Sequence, residues 1–510
     1  MNLLLADIGS RVVPYIILAV YMLSMVGIAF YSRRKTKTLN DFFLAGRGMG
    51  GWMSAFAYGT TYFSSVIFIG YAGKFGWNIG ISSIFIGLGN ALIGSLLAWK
   101  ILAKRTRDVT HTLGASTMPE FFEKRFESKG LRLMSSIIIF VFLIPYSASV
   151  YQGLAYLFEM VFGIPFIWCV IIMASVTALY LFFGGYLATA LSDFVQGIIM
   201  IVGVIVMVVL LLNRPEVNWG EGFAKLSEMG LGIIPKTGGG WNSPMFNLII
   251  LILLTSFGIW GMPQSVHKFY AIKDDKAINK AMIISTLFCA LIGIGAYLTG
   301  ALAPLFLDAI PQGNYDLIVP VMLAKVLPAS LLGLIVVLVL SASMSTLSSL
   351  SLAGASSIAV DAYKGFIRPN AEDKKVKMVL KICCLMFVVI SVVLAIVQFD
   401  AIVTLMSLSW GALAGCFIGP YVWGLYSKKI TKTAVYASMI SGLTLTFGLV
   451  IVFGLISPNK NIDNAFMAMV KGGIARSPLI GVICMAFSAI ITPIVSLFTK
   501  KPSEELLEKI

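Results

Sequence analysis

Apolar runs of about 20 residues, the length a helix needs to cross a bilayer core about 30 Å thick, recur along the whole chain. Inside such a core every backbone amide and carbonyl must be satisfied within the protein, so these runs fold as helices. Thirteen are expected, centred near Met22, Tyr62, Leu88, Phe142, Met173, Val204, Ile259, Ile292, Val339, Phe387, Leu413, Leu445 and Met485. Of the 510 residues, 58% are hydrophobic and 12% charged, against about 25% charged in soluble domains. That balance excludes a soluble enzyme, a disordered chain and a nucleic-acid binder; the expected partner is the lipid bilayer. The fold class is an all-α polytopic membrane protein.

The net charge of +15 sits mainly in short loops, where Lys and Arg set orientation. The first run, Val12 to Phe30, ends at Arg33-Arg34-Lys35 and has only Arg11 ahead of it, so it reads as an anchoring span and not a cleaved signal. With the N-terminus outside and the spans alternating, 29 of the 38 Lys and Arg fall inside, Lys268 to Lys280 counting as one inner loop. This predicts an odd number of spans, a cytoplasmic C-terminus and residence in the plasma (inner) membrane. The polar stretch Asn213 to Pro244, with Gly238-Gly239-Gly240, reads as an extracellular linker with room for a short helix. All six cysteines sit in apolar runs without zinc-ligand or redox spacing. His111 and His267 flank inner loops, and no catalytic motif accompanies them.

Two spans look broken. The second reads WMSAFAYGTTYFSSVIFIG from Trp52 to Gly70, polar and flexible from Gly59 to Ser65. Five spans later, LLTSFGIWGMPQSV from Leu253 to Val266 is interrupted by Gly258, Gly261 and Pro263. Irregular backbone at membrane depth is tolerated beside protein or a wet cavity. A pair of interrupted spans in corresponding positions points to an inverted-repeat transporter; helix kinks and small-residue packing are the simpler alternative.

The ninth span carries LSASMSTLSSLSLAGASSIAVDAY from Leu340 to Tyr363. Ala342, Ser345, Thr346 and Ser349 fall on one helical face, with Ser348 beside them. Such a face can offer oxygens to a monovalent cation. Hydroxyls also bond their own helix carbonyls, so packing alone accounts for it as readily. Asp193, early in the sixth span, adds an acid where acids are expensive. A cation between Asp193 and the inner hydroxyls fits the depth of both.

At these residues the chain resembles the sodium:solute symporter family, which includes the sodium/proline and sodium/pantothenate branches. The matching strings are DFFLAGRGMGGW (Asp41–Trp52), FFGGYLATALSDFVQG (Phe182–Gly197), GMPQSVHKFYAIKDDKAI (Gly261–Ile278) and SMSTLSSLSLAGASSIAVDAY (Ser343–Tyr363). The resemblance implies a leucine-transporter-like fold, a 5+5 inverted repeat with one extra helix before and two after. It divides the chain into 1–50, a first repeat over 51–215, an extracellular loop over 216–244, a second repeat over 245–430, and two final helices with an inner tail over 431–510.

The same resemblance implies sodium-coupled import of a small organic solute, an amino acid or a carboxylate such as proline or pantothenate, by alternating access. A sugar, sialic acid or, from another class, an ion channel are the rival readings; no enzyme is expected. Sodium is the coupling ion. Its main site would use the carbonyls of Thr60, Phe63 and Ala342 with the hydroxyls of Ser345 and Thr346. A second site, as in part of the family, would use Ser345, Ser348, Ser349 and Asp193. Where the proline branch surrounds its solute, this chain has Tyr62, Val66, Tyr146, Thr255 and Ile259; Ser65, Gln152, Trp260 and Gln264 are further pocket candidates. A monomer suffices for all of these roles, and the sequence leaves the oligomeric state open.

Overall fold

The computed structural model describes residues 2–33, 44–234, 240 and 243–503; within helices, side chains at 2–11, 29–33, 45, 179–187 and 329–330 fall outside that description. The start of the first family string, Asp41–Phe43, the side chains of Phe182–Leu187 and the Gly238-Gly239 pair therefore lie outside the described residues. Among the described residues no strand forms, and one isolated bridge pairs Met49 with Ile272. Among the described residues ten helices are long and apolar enough to cross a membrane.

The first helix, α1, spans Asn2–Arg33. The first broken span follows as α2, Gly51–Tyr62, and α3, residues 66–79. Between them Phe63 is extended, with φ −112° and ψ 135°. Gly80, at φ +60°, turns the chain into α4, residues 80–113. Side chains rarely adopt that conformation. The turn is held by the loop over residues 213–234: Ile81 and Ser82 donate to the carbonyls of Leu231 and Gly232 at 2.9 and 3.2 Å.

Short α5, Met118–Phe126, is capped by Thr117, whose hydroxyl accepts from Glu120 N, and it leads into α6, Lys129–Phe162. Residues expected as the fifth and sixth spans form one continuous helix, α7, Phe166–Leu212, in which Ala188–Leu212 is the longer apolar stretch. The polar stretch that begins at Asn213 does hold a short helix, α8, Gly220–Glu228.

The second broken span comprises α9, Pro244–Gly258, a tight turn over Ile259–Gly261, an extended Met262, and α10, Pro263–Ala271. Pro263 suits the first position of α10, where its missing N–H has no helical partner to lose. Then come α11, Asp275–Ala301, capped by Asp274; α12, Ile318–Val326; and α13, Ala329–Ser356, continued by a wider helical stretch over Ser357–Ile367. The last helices are α14, Asp373–Val397; α15, Ile402–Tyr426; α16, Lys432–Ile456; α17, Ala465–Ile474; and α18, Ser477–Leu497.

Burial separates centre from rim. In the most apolar 18-residue stretch of Leu331–Ile367 and of Ile402–Tyr426, 89% and 94% of the residues are buried, against 28% in that of Lys432–Ile456. Thus α13 and α15 form the core, and α14 and α16 leave Ile382, Leu385, Ile451 and Leu455 exposed. Exposed apolar side chains on such helices suit a hydrocarbon solvent. The hydroxyl-rich α13 therefore runs through the middle of the bundle, against α7 and α6 and beside α2. All six cysteines are free and buried.

Candidate cation and solute sites

Both predicted helix breaks exist, and the first sits against α13. Its freed backbone groups find side-chain partners. Ser65 N donates to Ser343 Oγ at 2.9 Å, and the Ser65 hydroxyl donates to Val150 O at 2.8 Å. Carbonyls at the break, together with that of Ala342 inside α13, gather around one hydroxyl. Thr346 Oγ1 lies 3.4, 3.3, 3.2 and 3.1 Å from the carbonyl oxygens of Thr60, Thr61, Phe63 and Ala342. A hydroxyl has one proton to donate, so it cannot satisfy four buried acceptors. The surplus is a cluster of negative dipole ends with no formal charge, suited to a monovalent cation. Ser345 adds a hydroxyl at its edge, donating to Thr60 Oγ1 at 2.7 Å, and Thr60 in turn donates to Phe56 O at 2.7 Å. The expected Thr60, Phe63, Ala342, Ser345 and Thr346 thus converge, and Thr61 joins them. Only the backbone path through the break reveals Thr61.

A second polar centre lies further along α13. Asp193 is fully buried, and its two oxygens accept no hydrogen bond of good geometry among the described residues, although the Ser345 hydroxyl lies beside the carboxylate. Ser348 turns its hydroxyl onto the Ser345 carbonyl at 2.9 Å. Sequence reading places Lys268 in an inner loop; the structure corrects this. Lys268 belongs to α10, is 2% exposed, and sets its ammonium 3.8 Å from Asp193 Oδ2 and 3.2 Å from Ser349 Oγ.

An ammonium only donates, which fixes the direction of the chain beyond it. Ser349 accepts from Lys268 and passes its own proton to Thr61 Oγ1 at 3.0 Å; Thr61 donates to Ala57 O at 2.6 Å. The second centre is therefore wired by hydrogen bonds to the first break.

Between the two breaks is a small void of about 10 Å³. Tyr62, Val66, Tyr146 and Thr255, all expected, line it. Tyr62 donates to Thr255 O at 2.6 Å and stacks on Trp410, ring centroids 6.1 Å apart. A Cβ at Gly94 would collide with the Tyr62 hydroxyl, so glycine there lets the ring reach across. Asn90, Tyr297 and Trp410 also line it and were not expected. A polar Asn and two large aromatics inside apolar runs were the available signal. The Tyr297 hydroxyl is buried without a hydrogen-bond partner among the described residues.

The other expected residues lie elsewhere. Ser65 supports the break, as above. Gln152 reaches Ala395 O at 3.4 Å, and Trp260 donates to Ile93 O at 3.1 Å. Ile259 is packed in the second turn. Gln264 lines a larger cavity of about 40 Å³, shared with Lys268, Ser349 and Asp361.

That larger cavity ends at a charged latch. Asp361 Oδ1 accepts from Thr117 at 2.7 Å and from Arg132 Nε at 3.0 Å; Arg132 also binds Glu123 at 2.6 Å. Nearby, Arg125 donates to the carbonyls of Gly424 and Ser427 at 2.9 and 2.8 Å, satisfying the end of α15. Burial pushes the Arg125 pKa down to about 10, which leaves it charged at neutral pH.

A membrane bundle with two interrupted helices meeting at polar sites is the architecture of a secondary transporter. The profile of the sodium:solute symporter family matches residues 42–442, and the chain belongs to that family. It is an integral membrane protein and a sodium-coupled symporter.

Among its relatives are the osmoregulated proline transporter OpuE of Bacillus subtilis, 28% identical over 96% of this chain and 95% of the relative, and the sodium/proline symporter of Staphylococcus aureus, 28% identical over 96% and 93%. The fold is similar to that of a substrate-bound, outward-open sodium-coupled sialic acid symporter, with TM-score 0.77 and 18% identity over 96% of this chain and 99% of the other. It is also similar to a closed nucleobase-cation-symport-1 family transporter, with TM-score 0.54 and 15% identity over 92% and 97%. The fold is leucine-transporter-like, as the family strings imply.

Proposed function

We propose that this symporter imports a small zwitterionic amino or imino acid, with proline the first candidate. The observation that carries the reading is the convergence of the Thr60, Thr61, Phe63 and Ala342 carbonyls on the Thr346 hydroxyl. In this reading sodium enters that cage and ties the first break to α13. With the break held, the neighbouring void accepts the solute. Its walls carry hydroxyl, amide and aromatic groups and no acid or base charged at neutral pH, which matches a solute of zero net charge. In this closed form the void holds only about 10 Å³, so its walls must part for such a solute to enter. The relatives' substrate, proline, is of that kind. Pantothenate is the larger alternative.

The repeats would comprise residues 51–215 and 245–430, flanked by 1–50, the outer loop 216–244 and the final 431–510. The N-terminus would face outward and the C-terminus the cytoplasm. Release would follow when α13 parts from the first break and the Arg132–Asp361 latch opens the larger cavity. Every proposed ligand comes from one chain, so a monomer suffices.

Uptake into proteoliposomes tests this with labelled proline, other small amino acids, pantothenate, short monocarboxylates, sugars and sialic acid. Each is run with an inward sodium gradient and again with potassium replacing sodium. Sodium-dependent accumulation of proline or a similar amino acid is expected. Accumulation of sugar or sialic acid alone would overturn the solute assignment.

A further inference from the structure

Asp193, Ser345, Ser348 and Ser349 have the composition of a second sodium site, one carboxylate and three hydroxyls. We propose that this centre already contains its cation, the Lys268 ammonium, which takes the place of a second sodium ion. The ammonium lies 3.2 Å from Ser349 Oγ and 3.8 Å from Asp193 Oδ2. Those are two of the oxygens an ion would need. The side chains of Lys268 and Asp193 are 2% and 0% exposed, so solvent does not screen a second positive charge between them. The hydroxyls are committed as well. Ser349 accepts from Lys268, Ser348 donates to the Ser345 carbonyl, and Ser345 donates to Thr60. The centre as built is one negative charge matched by one positive charge.

The lysine and its partners stand on different elements. Lys268 is on α10, just beyond the second break, while Asp193 is on α7 and Ser349 on α13. The ammonium can therefore engage or leave as α10 moves, like a bound ion, without being lost to solution. The cavity that contains Gln264 also touches Lys268 and Ser349, so the centre has a route for an ion once the lysine is removed. Each transport cycle then carries one sodium, held at the cage.

Sodium-22 binding at saturation to the purified full-length protein tests this without knowledge of the solute. The wild type is expected to bind one ion per chain and Lys268→Gln two. Adding Asp193→Asn to Lys268→Gln should return the count to one, and Lys268→Arg should keep it at one. Two ions in the wild type, or no gain in Lys268→Gln, would overturn the proposal. If Lys268→Gln is not monodisperse, Lys268→Met carries the same expected count; if neither variant folds, the wild-type count decides. The inference rests on sodium binding at the cage only for the absolute count. Thr346→Ala should move the binding of one ion to about tenfold higher sodium in every version. Absence of that shift breaks the main-site reading and leaves the gain from Lys268→Gln intact.

Discussion

The cage at Thr346 and the centre at Asp193 share one helix, α13, yet they are built from opposite materials. The cage has four carbonyl oxygens, two hydroxyls and no formal charge. The other has a carboxylate and an ammonium, both buried. Emptying a neutral cage leaves underused acceptors, at about 1–3 kcal/mol each. Emptying a charged centre leaves an uncompensated buried ion, at about 3–5 kcal/mol. A site that must load and unload in every cycle is better made of dipoles. A site made of charges is better kept filled.

The largest expected effect probes the charged centre. Asp193→Asn strands the Lys268 ammonium and should lower stability by about 3–5 kcal/mol, read as a fall in thermal midpoint in detergent. Adding Lys268→Gln should restore stability to within about 1 kcal/mol of the parent, because removing both charges of a buried pair is often close to neutral. A single variant as stable as the parent would erase the contrast between the two centres.

Next in size is the cage. Thr346→Ala should raise the half-saturating sodium concentration about tenfold, a change of about 1.4 kcal/mol. Ser345→Ala should raise it about threefold, since that hydroxyl spends its proton on Thr60. Sodium titrations of thermal stability measure both. Equal effects would show that the hydroxyls contribute alike and that the convergence on Thr346 has no special weight. The smallest effect belongs to charges that face solvent. Lys364 pairs with Asp373 at 2.8 Å, both partly exposed. Lys364→Ala should change stability by about 0.5 kcal/mol or less, which calibrates the buried pair against an exposed one.

Much of this was written locally in the chain. The helix breaks follow from Gly59 to Ser65 and from Gly258, Gly261 and Pro263, because backbone freedom and a missing amide act where they stand. The hydroxyl face of α13 follows from helical spacing alone. Lys268 escaped because its meaning is not local. In sequence it heads a series of loop cations, Lys273, Lys276 and Lys280. Its partners, Asp193 on α7 and Ser349 on α13, are 75 and 81 residues away, and only packing brings these helices together. Asn90, Tyr297 and Trp410 were hidden for the same reason: each sits in an apolar run whose inward face is chosen by neighbours. Asp193 was conspicuous because an acid in a span is rare whatever surrounds it.

A tethered cation has no concentration on either side of the membrane, and this limits how hard the protein can pump. One sodium moving down a tenfold gradient and 100 mV releases about 1.4 plus 2.3 kcal/mol. For an uncharged solute that sustains an accumulation ratio of roughly 500. Two sodium ions would square the ratio, to more than about five orders of magnitude. By carrying its own positive charge on Lys268, the protein forgoes that steeper ceiling. In return each solute molecule draws half as much sodium into the cell, and uptake stays reversible when the internal pool is already high.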